Sequence, residues 1–489
     1  MTDDVVIIGG GPNGLLLACE LALAGVRATV LEQHAVRPPI LKANGLVGRV
    51  VQAMDYRGLH ERLGGGPRPT RMPAFQFGAL PLKLSTLDSH EVYALPIPQL
   101  RLEQILAERA AELGVTVHKG HTMVALDQDD QRVTAEIEGP QGKYAITARY
   151  LVGADGGRSV VRKQSGIGFP GITDDTFVNR SGQVTVAAPV ALGNGELDVP
   201  GLGRLRPATF TRTEGGMFAY GMFQPGIYRV SALEWGSEPL ADNDDMPLTE
   251  LGDAIKRVLG ADLPMSAPVG LRRLVGVNSR QAAHYRSGRV FLVGDAAHVH
   301  SGVGGPGLNL GMQDVLNLGW KLAGAVHGWA PDGLLDTYES ERHPVGARVI
   351  MQTRAQMALL EPGPNVTALR ELMTELLGDQ NTRQHVADLM AGADIRYKTT
   401  ESHPMAGRWM PDLALDNGKR VADLMRAARP VLLTRAGHTA TGWTDRVDVV
   451  PTTADLGAEA VLVRPDGYVA WAGDTGLTEA LHTWFGDPS

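Results

Sequence analysis

Hydrophobic and polar residues follow two recurring patterns along this chain: short apolar runs and stretches with helical spacing. Residues 4–9 (DVVIIG) form an apolar run that is typical of a buried strand. A helix is predicted from about Gly14 to Ala24, ended by Gly25, and residues 27–32 (RATVLE) predict a second strand. These elements form a βαβ unit of about 30 residues.

The α/β pattern is interrupted and then resumes. Helical spacing covers 102–113, and alternation between 175 and 270 indicates antiparallel strands with one helix at 248–259. A strand at 289–293 leads through a glycine-rich loop to a helix from about 309 to 327. The remaining strands of the first half are predicted at 115–118, 123–128, 132–138, 144–148 and 150–154, the later ones as a meander.

The interleaving of these patterns predicts a discontinuous first domain. Residues 335–390 have mainly helical signals, and a separate α/β module with strands at 460–463 and 468–471 follows. The predicted domains are a first one made of 1–73, 99–174 and 271–390, a second made of 74–98 and 175–270, and a third at 395–489.

Composition narrows the class of protein. The 489 residues carry a net charge of −8, which argues against a nucleic-acid or membrane-surface partner. The single cysteine, Cys19, excludes an internal disulfide and a cysteine-based zinc site, and no metal site is expected. No signal peptide and no apolar run of 18 residues is visible, so we expect a cytoplasmic protein.

Glycines between the first strand and the first helix predict a dinucleotide site. In Gly9-x-Gly11-x-x-Gly14, the first permits a tight turn, the second a close backbone approach to a pyrophosphate, and the third close helix packing. Glu32 ends the second strand, where an acid can bind ribose hydroxyls. A glycine-rich turn in an unrelated α/β fold is the alternative, and this motif alone does not separate FAD from NAD(P).

Two later motifs resemble those of one enzyme family. Residues 151–162 (LVGADGGRSVVR) resemble the DG motif of class A flavoprotein monooxygenases, and 291–298 (FLVGDAAH) resemble their GD motif. The order of the motifs matches para-hydroxybenzoate hydroxylase and its relatives. The resemblance continues through 304–322 and 337–345 to 464–471, and is closest to the aromatic-polyketide hydroxylase and rifampicin monooxygenase branch.

The resemblance implies a fold, a cofactor and partners. The expected fold class is α/β (α+β), with a discontinuous Rossmann-like FAD domain, an antiparallel-sheet substrate domain and a thioredoxin-like C-terminal domain. The expected cofactor is FAD, with NAD(P)H as co-substrate and NADPH favoured. The expected partners are O₂ and a small aromatic substrate, and the expected state is a monomer or homodimer.

The resemblance and the glycine motif together give a set of expected cofactor contacts. Asp295 is expected to accept a ribityl hydroxyl, with helix N-cap as its alternative role, and Asp155 could instead stabilise its turn with Arg158. Backbone N–H groups of 304–309 are expected at the flavin N1–C2=O edge. The expected contacts are Gly9, Gly11, Pro12, Asn13, Gly14, Glu32, Gln33, Lys42, Gln99, Met123, Asp155, Asp295, Gly305, Gly307, Leu308 and Asn309.

The chain departs from the family pattern at two positions. Lys42 stands where the family often has arginine. A lysine can supply charge to a phosphate but lacks the planar fork of a guanidinium. Gly302 replaces a proline that usually lies near the reactive flavin carbon, so this loop is expected to be softer or to admit a bulkier substrate.

The resemblance also implies the reaction. A reduced flavin that reacts with O₂ to a C4a-hydroperoxide would hydroxylate a phenolic or polyketide-type natural product, in antibiotic biosynthesis or resistance. No catalytic side chain is predicted, because the flavin carries the chemistry. The alternatives are Baeyer–Villiger oxygen insertion on a polyketide ketone, and a non-redox FAD-bearing protein that binds a drug.

Overall fold

The computed structural model of the chain describes residues 3–37, 44–236, 246–416, 418–435 and 437–489. Lys42, one of the expected cofactor contacts, lies outside the described residues. None of the helices in these ranges is long and apolar enough to cross a membrane.

Within the described ranges, the strands form three sheets of four or more strands and three two-stranded pairs. The strands are β1 Asp3–Ile8, β2 Ala28–Glu32, β3 Gly45–Val47, β4 Phe75–Phe77, β5 Leu80–Leu82, β6 Ala94–Pro96, β7 Thr116–Lys119, β8 Thr122–Gln128, β9 Val133–Gly139, β10 Gly142–Gly153, β11 Gly171–Val186, β12 Leu197–Val199, β13 Gly203–Leu205, β14 Phe210–Thr213, β15 Gly216–Gln224, β16 Ile227–Trp235, β17 Met265–Gln281, β18 Arg286–Ser287, β19 Val290–Leu292, β20 His298–Val299, β21 Val431–Thr434, β22 Asp448–Pro451, β23 Ala460–Val463 and β24 Val469–Gly473.

Helices cover these sheets and form a continuous helical stretch after the strand β20. The helices are α1 Pro12–Leu23, α2 Arg49–Tyr56, α3 Gln99–Glu112, α4 Val160–Gln164, α5 Leu248–Leu259, α6 Pro306–His327, α7 Asp336–Leu360, α8 Pro364–Leu376, α9 Gln380–Ala391, α10 Val421–Leu424 and α11 Leu477–Phe485.

The first sheet has a parallel centre in the order β19-β10-β1-β2-β7. Its apolar strand β1 is buried between β10 and β2, with Val6 opposite both Leu151 and Thr29. Strands β8, β9 and β10 form the antiparallel meander that the sequence predicts. The discontinuous α/β architecture is therefore confirmed, because the residues of β19 lie far along the chain from those of β1.

The structure corrects several predicted element boundaries. The two strands predicted at 144–148 and 150–154 are one strand, β10, because Arg149 projects from it to the carbonyls of Ala325 and Val326 at the end of α6. Helices α1 and α6 begin earlier than predicted, at Pro12 and Pro306, since proline suits the first helical position.

The second large sheet is antiparallel, in the order β14-β15-β16-β11-β17-β20. Helix α5 packs on one face of this sheet, where its Ile255 clusters with the buried side chains of Phe218 and Val230. The segment 74–98 adds no described strand to this sheet, and its hairpin β4–β5 packs against α7 and α9. Gln76 of β4 links this hairpin to the antiparallel sheet. Its amide nitrogen donates to the Ala208 carbonyl, and its amide oxygen accepts the Phe210 N–H.

The C-terminal module has a mixed four-stranded sheet, β22-β21-β23-β24, with one parallel pair. Its inner face shares one hydrophobic cluster with the first sheet, to which it contributes Trp409, Met425 and Val461. On the other side Trp320 of α6 packs against Trp484 and Phe485 of α11. The module is thus buried against the first domain.

A buried ionic network reinforces this junction. The guanidinium of Arg464 bonds both oxygens of Glu341, at 2.6 and 2.8 Å, and also Asp466. The ammonium of Lys321 lies 2.7 Å from the Glu341 carboxylate and 2.8 Å from the amide oxygen of Asn317. Two cations therefore balance two carboxylates out of contact with water. Although burial opposes ionisation, Arg464 and Lys321 together hold the pKa of Glu341 down at about 2.

Candidate cofactor and substrate site

Two of the three glycines in the first turn are required by packing within the protein. Gly9 has a φ of +109°, and a Cβ there would lie 2.4 Å from the carbonyl oxygen of Ala154. A Cβ on Gly14 would lie 1.9 Å from the carbonyl oxygen of Gly9. These residues hold α1 close against β1 and β10, as the glycine pattern predicts.

Gly11 is different, because no backbone approaches it. The nearest protein atom to an added Cβ would be a guanidinium nitrogen of Arg37, 3.8 Å away. Helix α1 starts here without any side-chain cap, and Pro12 occupies its first turn. The open space in front of an uncapped helix start suits an anionic group such as a pyrophosphate.

The acid at the end of β2 is held by this turn. One oxygen of Glu32 accepts the Gly10 N–H at 2.8 Å, and the other accepts the N–H of His34 at 2.9 Å. The side chain is buried, at 8% exposure. Glu32 is thus fixed beside the glycine turn with further lone pairs that a ribose hydroxyl can use. Gln33 is exposed next to it.

Arg37 lies over the same turn and was missed by the sequence motifs. Its guanidinium pairs with Glu103 and approaches Glu32 at 3.5 Å and the Gly10 carbonyl at 3.3 Å. Gln99 donates to Glu103 at 2.7 Å from the first turn of α3. Only tertiary structure brings this cation to the glycine turn, because Arg37 follows β2 with no motif of its own.

The DG segment has a structural role in this chain. The carboxylate of Asp155 accepts from the Ser159 hydroxyl at 2.6 Å and from the N–H groups of Val160 and Val161. It therefore organises the start of α4 rather than pairing with Arg158, and burial raises its pKa. Its predicted contact with the cofactor stays a prediction.

Arg162 joins the DG and GD segments. Its guanidinium donates to the carbonyls of Gly157 at 3.0 Å and Ala296 at 2.7 Å, and stacks 3.6 Å over the Phe169 ring. These contacts keep the two motifs at a fixed separation. The sequence separation of the two carbonyls gives no hint of this bridge.

The GD segment presents Asp295 outward. Asp295 lies in a short 3₁₀ turn, Gly294–Ala296, and is exposed, while Val293 occupies the N-cap position. The carboxylate is thus available to a ligand hydroxyl. The turn is anchored from below by buried Asp314, which accepts from the Gly294 N–H at 3.3 Å.

Asp314 also fixes the residues that follow. Its carboxylate lies 2.7 Å from the Nε2 atom of His298 and accepts from Nε of Arg342 at 2.8 Å. All three side chains are buried. Despite desolvation, these two neighbours keep the Asp314 pKa below its ordinary value. His298 is therefore an anchor of the loop.

The start of α6 provides a second uncapped helix end. Gly304 and Gly305 have φ values of +75° and +72°, and no side chain caps the helix. Asn309 is occupied on both sides: its oxygen accepts the Val47 N–H at 2.8 Å, and its nitrogen donates to the Gly305 carbonyl. Free N–H groups and the positive helix end can stabilise the electronegative edge of a flavin.

His300 lies beside this helix start. A Cβ on Gly307 would lie 3.5 Å from the His300 ring. Burial lowers the pKa of His300 to about 4, so the ring is neutral at physiological pH. The positive character of this site at neutral pH comes from backbone dipoles rather than from a histidine charge.

Three residues that were expected to contact the cofactor have side chains that are wholly or partly buried in the protein. The Met123 side chain is buried in the first core, at 3% exposure, and Leu308 is half-buried at the edge of that core. The Asn13 amide is wedged against Gly294 and Gly311, where an added Cβ would lie 1.9 and 2.4 Å from its nitrogen. Only the backbone atoms of Met123 and Asn13 could reach a cofactor, so these two assignments stay predictions.

An apolar surface faces the loop that precedes α6. Phe177, Met217 and Leu233 lie on the side of the antiparallel sheet opposite α5 and cluster with Val303 and Leu360. This cluster connects the sheet to the helix start that would hold a flavin edge.

Together the fold and the site combine a parallel α/β sheet, an antiparallel sheet and helix starts that could hold a flavin dinucleotide. The two uncapped helix starts, Glu32 and exposed Asp295 fit the phosphate, ribose and ribityl groups of FAD. Sequence comparison agrees: an FAD-binding domain family matches residues 2–353, and an aromatic-ring hydroxylase C-terminal family matches 403–488. The chain belongs to the FAD-binding domain family, whose match covers more than half of its length, and is a flavoprotein monooxygenase.

Relatives cover the whole chain. A 12-dehydrotetracycline 5-monooxygenase/anhydrotetracycline 6-monooxygenase of Streptomyces rimosus is 42% identical, with 100% of both chains covered. A rifampicin monooxygenase of Streptomyces venezuelae is 40% identical over 99% of this chain and 98% of its own. The solved structure of the anhydrotetracycline hydroxylase OxyS from Streptomyces rimosus superposes with a TM-score of 0.88 at 40% identity, with full coverage of both chains.

One relative carries a different kind of name. A dialkyldecalin synthase of Streptomyces rugosporus is 36% identical over 99% of both chains. Similarity at this level therefore includes a protein that is not named for oxygenation.

Proposed function

We propose that this monooxygenase hydroxylates a phenolic, multi-ring natural product of the polyketide type, and that it consumes O₂ and NAD(P)H, with NADPH favoured. The observation that supports this most is the apolar cluster of Phe177, Met217 and Leu233 directly against the α6 loop. When bound, the FAD supplies the redox and oxygen-transfer chemistry. We further propose that the protein is cytoplasmic and a monomer or homodimer.

The chain's own residues bind and orient the cofactor. The α1 start beside Gly11 binds the pyrophosphate, Glu32 accepts from a ribose hydroxyl, and Asp295 accepts from the ribityl chain. The N–H groups at the start of α6 stabilise negative charge on the flavin edge. The neutral His300 ring adds bulk at this edge without a competing charge.

The apolar cluster excludes water from the reacting face. Phe177 and Met217 are each 4% exposed and Val303 is 6% exposed, so a flat aromatic substrate inserted beside them meets few water molecules. Exclusion of water protects a reactive oxygenating species and strengthens electrostatic interactions in the site. No side chain has to act as a nucleophile.

The test is oxidation of NADPH by the FAD-loaded protein with a panel of phenolic anthraquinones and tetracyclic polyketides. We expect substrate-stimulated NADPH and O₂ consumption and a product heavier by one oxygen atom. Product NMR then separates ring hydroxylation from Baeyer–Villiger insertion into a ketone. Tight binding without turnover, or an isomerised product without added oxygen, would refute hydroxylation. The product is also examined for isomerisation without added oxygen, because one relative is named as a dialkyldecalin synthase.

A further inference from the structure

The side of the antiparallel sheet opposite α5 packs against Val303 of the loop before α6, and we call it the flavin-facing side. It has a floor of small residues. Ala219 lies opposite Ser231, Ser231 opposite Ser181, and Gly221 opposite Arg229. These side chains are short, so the centre of this face carries less bulk than its apolar end. Phe177, Met217 and Leu233 cluster at that end on the same face.

Two arginines border this floor. Arg272 lies opposite Ser181, and Arg229 lies opposite Gln183 on the other side of β11. The neighbour of Arg272, Arg273, bonds Glu250 of α5 at 2.8 Å, so alternation along β17 turns Arg272 to the opposite, flavin-facing side.

The same alternation applies to β16. Tyr228 and Val230 are buried under α5, so Arg229 between them projects to the flavin-facing side. Both arginines therefore extend over the floor of small residues from opposite sides of β11.

The arginines on the two faces of the antiparallel sheet differ in their ionic partners. On the α5 face, Arg180 pairs with Glu234 and Glu250, and Arg257 pairs with Glu234. On the flavin-facing side, Nε of Arg272 is buried and has no hydrogen-bond partner among the described residues. Burial and the adjacent Arg272 charge both lower the pKa of Arg229. A buried donor on a cation is costly unless a ligand satisfies it.

We propose that Arg272, assisted by the positive charge of Arg229, forms an anion subsite that binds a carboxylate or ionised enol of the substrate. This inference rests on the proposed function and specifies its substrate class as an acidic multi-ring aromatic. The planar guanidinium of Arg272 can hold two oxygens of such a group.

The spacing of the subsite defines the orientation of the substrate. Arg272 lies opposite Ser181, four residues along β11 from Phe177, which corresponds to roughly 13 Å at the rise of a strand. A framework of several fused rings spans this distance. The ring nearest Val303 is therefore oxygenated, and the acidic group lies at the far end.

The experiment compares binding of a dihydroxyanthraquinone carboxylate and its neutral methyl ester to the FAD-loaded protein. Binding is followed by the perturbation of the flavin absorption spectrum. The variants are Arg272→Gln, Arg272→Lys, and Arg206→Gln as a matched control, because Arg206 is a cation of the same domain at 80% exposure. FAD content and thermal melting verify that each variant is folded.

We expect the wild type to prefer the carboxylate and Arg272→Gln to weaken carboxylate binding by about 10- to 100-fold, the loss of charged hydrogen bonds. Arg272→Lys should restore part of the affinity, and Arg206→Gln should resemble the wild type. Ester binding should change less than threefold in every variant.

Equal binding of both probes by the wild type, binding of neither, or equal weakening of both by Arg272→Gln would overturn the subsite. Failure of the subsite and failure of the proposed function are distinguishable. Oxygenation of neutral phenolic compounds by wild-type protein would sustain the function without the subsite. Carboxylate preference without any oxygenated product would sustain the subsite alone.

Discussion

Gly11 and Gly14 belong to one turn, but the structure gives them different roles that a pair of substitutions separates. In Gly14→Ala the new Cβ would lie 1.9 Å from the Gly9 carbonyl oxygen, so α1 must move away from β1. In Gly11→Val the nearest protein atom to Cβ is the flexible end of Arg37, 3.8 Å away. Gly11 has φ −74° and ψ −176°, an extended conformation that valine adopts readily.

Two contributions to the free energy of unfolding oppose each other in Gly14→Ala. Replacing glycine by alanine inside a helix stabilises it by up to about 1 kcal/mol. Overpacking a tight contact costs about 1–3 kcal/mol, and here the contact is with backbone, so the cost dominates. Gly14→Ala should therefore lower the melting temperature of the apoprotein, whereas Gly11→Val should not.

For FAD affinity, we expect the larger effect from Gly11→Val. A valine at position 11 fills the space in front of the helix start and removes charge-assisted hydrogen bonds of about 1.5–3 kcal/mol each. The Kd for FAD should rise by about 10- to 100-fold. Titration of apoprotein with FAD, followed by flavin fluorescence, gives this Kd, and calorimetry of the apoprotein gives its stability. Wild-type FAD affinity in Gly11→Val, or a loss of apoprotein stability equal to that of Gly14→Ala, would refute the assignment.

Three further outcomes are expected. Gly302→Pro should lower the H₂O₂ released per NADPH consumed, because no protein atom lies within 4 Å of an added Cβ and proline stiffens the loop; an unchanged ratio in FAD-loaded protein would contradict this. Arg464→Met should reduce the free energy of unfolding by about 3–5 kcal/mol in urea titrations, since Glu341 and Asp466 lose their shared buried cation; a loss below about 1 kcal/mol would count against the network. Stability should fall as pH drops from 4.5 towards 2, because the folded pKa of Glu341 is depressed to about 2 and the unfolded carboxyl protonates first; a Glu341→Gln variant with the same acid dependence would disprove this origin.

The sequence predicted the central βαβ unit well because its signals are local. The buried run of β1, the glycine turn and the acid at the end of β2 each depend on neighbouring residues. The strand β10 was predicted as two pieces because Arg149 is polar, and its partners, the carbonyls at the end of α6, are 176 and 177 residues away. A polar residue within a strand can be interpreted correctly only when its distant partner is known.

The sequence predicted those site residues that belong to a local motif, but not those that act through partners far along the chain. Gly9, Gly14 and Glu32 lie where the glycine motif requires them, since a turn determines its own residues. Arg37 was not found, and Arg162 was identified only as the end of the DG motif, because each acts on carbonyls or carboxylates from other parts of the fold. The spacing of motifs identifies the groups that face the ligand but not those that hold the motifs together.

The two-residue strand β20 has a mechanical consequence. His298 and Val299 pair with Gln281 and Arg280 of β17, so the end of the GD segment enters the outermost strand of the antiparallel sheet. Six residues, 300–305, separate this strand from the start of α6 at Pro306. Asp314 of α6 holds the turn before this strand through the Gly294 N–H and His298. The edge of the antiparallel sheet and the start of α6 are therefore joined by one short segment, so neither can shift far without moving the other.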